Sequence, residues 1–307
     1  MTTPRQAHYS PDQPAPTDRP GGTATLAGRP VARIGFGALQ LEAQPSGRDA
    51  AIAILRSAAG AGVNHIDTAQ FYGSCNELIR EALHPYPEDL ALVTKVGAER
   101  DERAVPIPLV PAQRPEQLRA SVEANLATLG AERLAVVNLR RLDARPGILA
   151  EGDQRVDLDS QLAELIALRD EGKLDGIGLS NVSADQLRHA LPAGIACVQN
   201  AYSLLDRSSE PLLGLCAEQD IAFVPYFPLG SRGFPGISKV TEHPAVVAVA
   251  ASLDATPAQI GLAWLLAHDR RILLIPGTAS PAHLAENIAA GNIQLSPQTM
   301  TELDRLS

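Results

Sequence analysis

Eight short apolar runs alternate with longer amphipathic segments along most of this 307-residue chain. The runs are RIGFGA (33–38), VNHID (63–67), LALVTK (90–95), LAVVNL (134–139), GIGLSN (176–181), ACVQN (196–200), IAFVPY (221–226) and ILLIPG (272–277). Between them lie segments with helical patterning such as RDAAIAILRSAAGAG (48–62), QLRASVEANLATLG (117–130) and LDSQLAELIALRDEG (158–172), the last two closing on glycine as helices commonly do. SADQLRHAL (183–191) opens with a capping serine. Strict strand–helix alternation leaves two architectures, a (β/α)8 TIM barrel or a doubly wound open sheet. The runs are apolar almost throughout, as parallel strands buried on both faces must be. An open dinucleotide-binding sheet needs an early glycine fingerprint, and GFGALQ and GIGLSN offer GxG without its third glycine. Eight units therefore favour the α/β class and a (β/α)8 barrel. TATLAGRPVARIG (23–35) predicts a β-hairpin ahead of it, two short strands around a Gly-Arg turn, and a final helix ends the chain.

The first 22 residues are rich in proline and polar residues and read as a disordered tail before a barrel spanning 23–307. They carry no apolar stretch of the signal-peptide kind, and no run approaches the roughly 20 residues that span a bilayer. The net charge of −9 argues against a nucleic-acid partner. Three cysteines, Cys75, Cys197 and Cys216, lack metal-ligand spacing, so no metal site is expected and the thiols fit a reducing cytoplasm. Nothing in the sequence speaks to oligomeric state.

In a barrel, polar residues at the C-terminal ends of the strands face the active site. Those ends carry Asp67, with Tyr72 in the loop TAQFYG behind it, then Lys95, Asn138 and Arg140, Ser180 and Asn181, Gln199 and Asn200, and Tyr226. Each alone reads as a cap, a solvated charge or a packing residue; the case rests on their coincidence at one mouth. A phenol is a poor acid at neutral pH, and an ammonium beside it stabilises the phenolate. An aspartate next to Lys95 would fix the ammonium and keep it charged, making Tyr72 a general acid suited to carbonyl reduction.

At this point the sequence resembles the aldo-keto reductases. NHIDTAQFYG matches that family's Asp-Thr-Ala…Tyr-Gly signature, and VTK its lysine strand. GLSN, VQN and VPYFPLG match three cofactor-lining strand ends, and IPGTASPAHLAEN the final cofactor segment. The likeness covers about residues 23–305 and is greatest to the bacterial pyridoxal reductase branch, which shares VNLR, YFPLG and IPGT. The resemblance implies a tetrad of Asp, Tyr, Lys and His, and Asp67, Tyr72 and Lys95 fill three places. Arg140 stands where most of the family keeps a histidine. An arginine stays protonated, so it can polarise an oxygen but not relay a proton. Arg141 reads as solvated or paired with an acid such as Asp143. His65, two residues before Asp67, should point into the barrel interior in a structural role.

The resemblance also implies a nicotinamide dinucleotide across the mouth. Ser180, Asn181 and Gln199 would hold its carboxamide, and Tyr226 would stack on the ring. Gly37, Ala38, Phe227, Leu229, Ser231, Gly277 and Thr278 would line its middle. Ser280, His283, Glu286 and Asn287 would surround the adenosine end, with a helix N-terminus near Ser280 favouring phosphate. Many relatives carry an arginine at the place of His283, which grips the 2′-phosphate less firmly; NADPH is the expected cofactor, with NADH not excluded. Gln40, Phe71, Asn138 and Asn200 are assigned to a small-molecule carbonyl substrate, pyridoxal foremost. The alternative is a cofactor-binding regulatory protein of the same fold, which the missing histidine would suit. The proline-rich stretch after Lys95 should overlie the mouth, with Arg100 and Arg103 either solvated or facing an anionic substrate.

Overall fold

The computed structural model describes residues 19–42, 47–105, 107–144, 147–230 and 238–306. The hairpin comes first, β1 (Thr23–Leu26) antiparallel to β2 (Arg29–Ala32). Its turn is Ala27-Gly28 rather than Gly-Arg: both residues are left-handed, with φ of 49° and 76°, and Arg29 already belongs to β2. Two consecutive positive φ values give the turn the twist that an antiparallel pair needs. Arg19–Gly22, the end of the expected tail, hydrogen-bonds to the barrel through Pro20 and Gly22 carbonyls and pairs Arg19 with Asp89.

Seven parallel strands follow: β3 (Phe36–Gly37), β4 (His65–Asp67), β5 (Ala91–Val96), β8 (Leu134–Arg140), β9 (Leu174–Ser180), β10 (Ile195–Gln199) and β11 (Ala222–Phe223), each beside the next. The expected eighth run supplies the closure. Ile272 bridges to Phe223 and Leu274 bridges to Ile34, both parallel, so the curled sheet meets itself as a (β/α)8 barrel. β11 is shorter than its apolar run: Pro225 brings no N–H to the ladder, and pairing resumes only as an isolated bridge at Tyr226. The chain after Lys95 forms a second hairpin, β6 (Ala98–Arg100) with β7 (Leu109–Pro111).

Helices α1 (Arg48–Gly60), α2 (Cys75–Leu83), α3 (Pro115–Leu129), α4 (Leu158–Asp170), α5 (Ala184–Ala190) and α6 (Glu210–Glu218) follow their strands in the expected order. α7 (Pro244–Ser252), α8 (Pro257–His268), α9 (Pro281–Ala289) and α10 (Pro297–Asp304) complete the chain. Local chemistry sets their ends. Gly130 closes α3 at φ 64°, and Ser183 caps α5 with Gln186 returning the bond. Among the described residues no single helix is long and apolar enough to cross a membrane.

Alternation along each strand divides the core in two. Leu92, Val96, Val137 and Leu139 face the helices. Ala91, Val93, Val136, Val224 and Leu273 fill the interior and meet Leu26 and Val31 of the first hairpin, which plugs the floor. With the floor sealed by apolar residues, the polar strand ends gather at the mouth, where the strands' C-terminal ends lie.

Candidate active site

Lys95 continues the inward row of Ala91 and Val93, and Asp67 ends β4 beside it. Both are buried, at 6 % and 3 % exposure. Lys95 Nζ donates to Asp67 Oδ1 and, at 3.3 Å, to the Thr68 carbonyl. The same ammonium lies 5.0 Å from the centroid of the Tyr72 ring. Burial alone would lower the Lys95 pKa; the Asp67 carboxylate and the Tyr72 side chain outweigh it and hold the pKa above the ordinary lysine value. A charged lysine is thus secured at the mouth. Tyr72 is half-buried, and Phe71 packs edge-on against it with centroids 5.2 Å apart.

Arg140 ends β8 opposite Ser180, on the inward row of Asn138. Burial holds the pKa of Tyr226 above the ordinary tyrosine value, and the Arg140 charge opposes that rise. A Cβ at Gly147, in the loop beyond, would come within 3.0 Å of Arg140 Nη2. Among the described residues its guanidinium has no hydrogen-bonding or ion-pair partner. Arg141 faces the other way, buried at 6 %, and it is this residue that pairs with Asp143. Of the two readings of Arg141, pairing holds and solvation does not.

The remaining expected residues divide. Gln199 is wholly buried and its Nε2 donates to Asp67 Oδ2 at 2.6 Å. A carboxylate accepts only, so this bond fixes the amide's orientation. Gln199 Oε1 is left buried without a partner among the described residues. Asn181, held at φ 59°, lies beside Tyr226, whose hydroxyl donates to Asn181 Oδ1 at 3.4 Å. Ser180, Ala38 and Gly37 are buried around the same opening. Gly37 and Gly277 let the first and last strands close: a Cβ at Gly277 would sit 2.4 Å from the Gly37 carbonyl and 1.9 Å from Gln40 Oε1. Phe227 turns at φ 55°, edge-on to Tyr226, and Leu229 packs on the core. Ser280 caps α9 and accepts from His283 N at 3.4 Å; His283 is exposed, Glu286 half-buried, Asn287 and Thr278 buried. Ser231 lies outside the described residues.

Two residues expected at the substrate serve the scaffold. Asn138 is 0 % exposed, level with Lys95 but tucked against Gly178, and it accepts from Cys197 Sγ at 3.3 Å. Asn200 spends both ends of its amide on the Val182 backbone, at 2.8 and 3.1 Å. Gln40 is exposed and Phe71 is buried. Arg100 pairs with Glu42 and Glu102, and Arg103 with Asp101, so the hairpin's arginines are already partnered. His65 points inward as expected, fully buried against Gly35.

Sequence reasoning missed the network behind the catalytic strands. Thr68 Oγ1 donates to Asn76 at 2.8 Å, Asn76 to Asn125 at 3.0 Å, and Thr94 Oγ1 to Asn125 at 2.6 Å. These bonds tie the residues next to Asp67 and Lys95 to α2 and α3. A signal was present: Asn125 falls on the apolar stripe Leu118, Val122, Leu129 of α3, where an unpaired amide would be costly.

A nicotinamide dinucleotide tests well against this arrangement. Gln199 Oε1 is an orphaned acceptor in the interior, of the kind a carboxamide N–H satisfies, and the Gly37–Gly277 junction keeps side chains off the backbone there.

A barrel with an aspartate, a lysine and a tyrosine gathered at its C-terminal mouth is the arrangement of an oxidoreductase acting on carbonyl and alcohol groups. Residues 33–307 match the aldo/keto reductase family, and the chain belongs to it. It is therefore an NAD(P)H-dependent oxidoreductase. It is 44% identical to pyridoxine 4-dehydrogenase of Escherichia coli K12, over 93% of this chain and 98% of that one. The solved structure of a thermostable aldo-keto reductase bound to the inhibitor epalrestat matches with a TM-score of 0.76 at 27% identity, covering 93% of this chain and 99% of that one. An aldo-keto reductase from Klebsiella pneumoniae in complex with NADPH matches with a TM-score of 0.76 at 26% identity, covering 92% and 94%.

Proposed function

We propose that this enzyme uses NADPH to reduce an aldehyde or ketone to an alcohol, that pyridoxal is its preferred substrate, and that one barrel domain from residue 23 onward carries the activity. The observation behind the proposal is the buried Asp67–Lys95 pair beside Tyr72, with Arg140, unpartnered among the described residues, on the same mouth. The names of two relatives support the finer choices: one is a pyridoxine 4-dehydrogenase and another holds NADPH.

Gln199 would take the carboxamide through its free Oε1, with Asn181 and Ser180 alongside and Tyr226 against the ring. The N-terminus of α9, with Ser280 and His283, would meet the phosphate end. When bound, the cofactor supplies a hydride. Tyr72 gives the proton that the carbonyl oxygen needs, and the Lys95 ammonium stabilises the phenolate left behind. Asp67 holds Lys95 in place and charged. Arg140 donates to the substrate oxygen or to a hydroxyl beside it, and its fixed fork suits a carbonyl next to a phenolic hydroxyl, as in pyridoxal. Phe71, Leu109 and Ile148 form a small apolar cluster with Tyr72 that would meet the ring.

The test is NADPH oxidation against pyridoxal, pyridoxal phosphate and a panel of plain aldehydes. Pyridoxal should give the highest kcat/KM. A plain aldehyde outrunning it would overturn the substrate choice, and no turnover with any carbonyl would overturn the reaction.

A further inference from the structure

The two adjacent arginines divide their work by direction. Neighbours on a strand point to opposite faces, so Arg140 enters the mouth and Arg141 enters the wall behind it. A buried guanidinium must find partners for its N–H groups. Arg141 grips both Asp143 oxygens, at 2.7 and 2.8 Å, and reaches the Val156 carbonyl at 3.0 Å and the side-chain oxygen of Gln161. From Gln161 the bonds return to the site. Gln161 donates to the Gln113 carbonyl at 2.7 Å, and the Gln113 side chain donates to the carbonyl of Arg140 at 2.8 Å. The peptide that carries Arg140 is thereby clamped from behind.

A second branch reaches the cofactor side. Asn181 Nδ2 donates to the carbonyls of Arg141 and Ala144 at 3.1 and 2.9 Å. Both donors of its amide are thus spent on the exit of β8, which fixes Oδ1 toward the Tyr226 hydroxyl. Asp143, the partner of Arg141, also accepts from Gln186 of α5 at 2.7 Å. One guanidinium therefore sits at the junction of β8, α4, α5 and the strand end that carries Asn181.

We propose that Arg141 is a positioning residue for the reaction: by locking residues 140–144 it holds the Arg140 guanidinium in the mouth and the Asn181 amide against the cofactor. The proposal rests on the reading that Arg140 meets the substrate. A misplacement of about 1 Å in a reacting group can cost on the order of a hundredfold in rate, so a residue that touches neither substrate nor cofactor can control both.

The test is a double-mutant cycle of Arg140→Met and Arg141→Gln, read as kcat/KM on pyridoxal and as NADPH affinity from cofactor fluorescence. Arg141→Gln should lower kcat/KM at least about tenfold and weaken NADPH at least about threefold; once Arg140 is Met, the kcat/KM loss should shrink to about the size of the NADPH loss, which Asn181 carries and which should persist. Arg141→Lys, which keeps the charge but loses the fork, should not restore either value. Asp143→Asn, at a partly exposed position, should give the same pattern in milder form and stands in if Arg141→Gln does not fold. Equal losses of kcat/KM with and without Arg140, or a loss confined to thermal stability, would overturn the proposal. If Arg140→Met costs activity and the Arg141 and Asp143 variants do not, this inference alone falls. If Arg140→Met leaves pyridoxal kcat/KM unchanged, the substrate reading falls and takes this inference with it.

Discussion

Gln199 Nε2 donates at 2.6 Å to Asp67 Oδ2, the carboxylate oxygen that Lys95 does not take. The two residues are 132 apart in sequence and join the catalytic pair to the cofactor face. Gln199→Leu strips that bond and leaves Asp67 Oδ2 buried without its donor. An acceptor left buried and unpaired costs about 1–3 kcal/mol, so the apo-protein should lose stability of that order in urea denaturation. NADPH should bind at least about tenfold more weakly, the equivalent of about 1.4 kcal/mol. Unchanged NADPH affinity would remove Gln199 from the cofactor site.

Lys95→Met should destabilise the fold more than the double variant Lys95→Met/Asp67→Asn. The single change leaves a carboxylate buried at 3 % exposure without its cation, a loss of about 3–5 kcal/mol in comparable pairs. The double change removes the stranded charge as well. Urea midpoints of wild type and both variants check the order, and equal midpoints for the two variants would show that the pair is solvated.

His65 gives the chain an acid sensitivity of its own. Burial in the barrel interior pushes its pKa down to about 4, against about 6.5 when unfolded. The depressed value means that the unfolded chain binds a proton first as pH falls. Stability is therefore full above about 6.5, drains between 6.5 and 4, and loses about 3 kcal/mol in all from this group. Burial outweighs the Leu274 and Ala32 backbone groups that favour the charged ring, so His65→Leu should hold its stability at pH 7 and flatten the decline. Thermal melts of both proteins from pH 7 to 4.5 check this; parallel curves would assign the acid loss elsewhere.

Much of this architecture is legible in the sequence. Continuous apolar runs marked the strands because both of their faces are buried, and glycine and serine marked the helix ends because they satisfy local backbone geometry. Asp67, Tyr72 and Lys95 could be grouped because strand ends share a level. What pattern could not show is pairing across the barrel. Asn138 and Asn200 read as substrate ligands since they are polar residues at strand ends, yet one packs against Gly178 and the other holds Val182. The hairpin turn shifted by a residue because Ala27 adopts a positive φ that its identity does not advertise. Arg141 carried no sign of being the buried member of its pair, since that depends on Gln161 and Val156 arriving from later in the chain.

Arg140→His should restore the tetrad seen in most aldo-keto reductases and move preference toward plain aldehydes. Arg140→Lys keeps the charge without the fork and should lower kcat/KM on pyridoxal at least about threefold, with NADPH affinity spared. Steady-state kinetics of both variants on pyridoxal and one plain aldehyde decide the matter. No change beyond about threefold on either substrate would make Arg140 a bystander.

The central claim is that Tyr72, beside the Lys95 ammonium, is the proton donor. Single-turnover and steady-state NADPH oxidation by Tyr72→Phe, with NADPH affinity measured alongside, tests it most directly. Turnover should fall at least about 10²-fold, with NADPH affinity within about threefold of wild type. Turnover within a few-fold of wild type would contradict it.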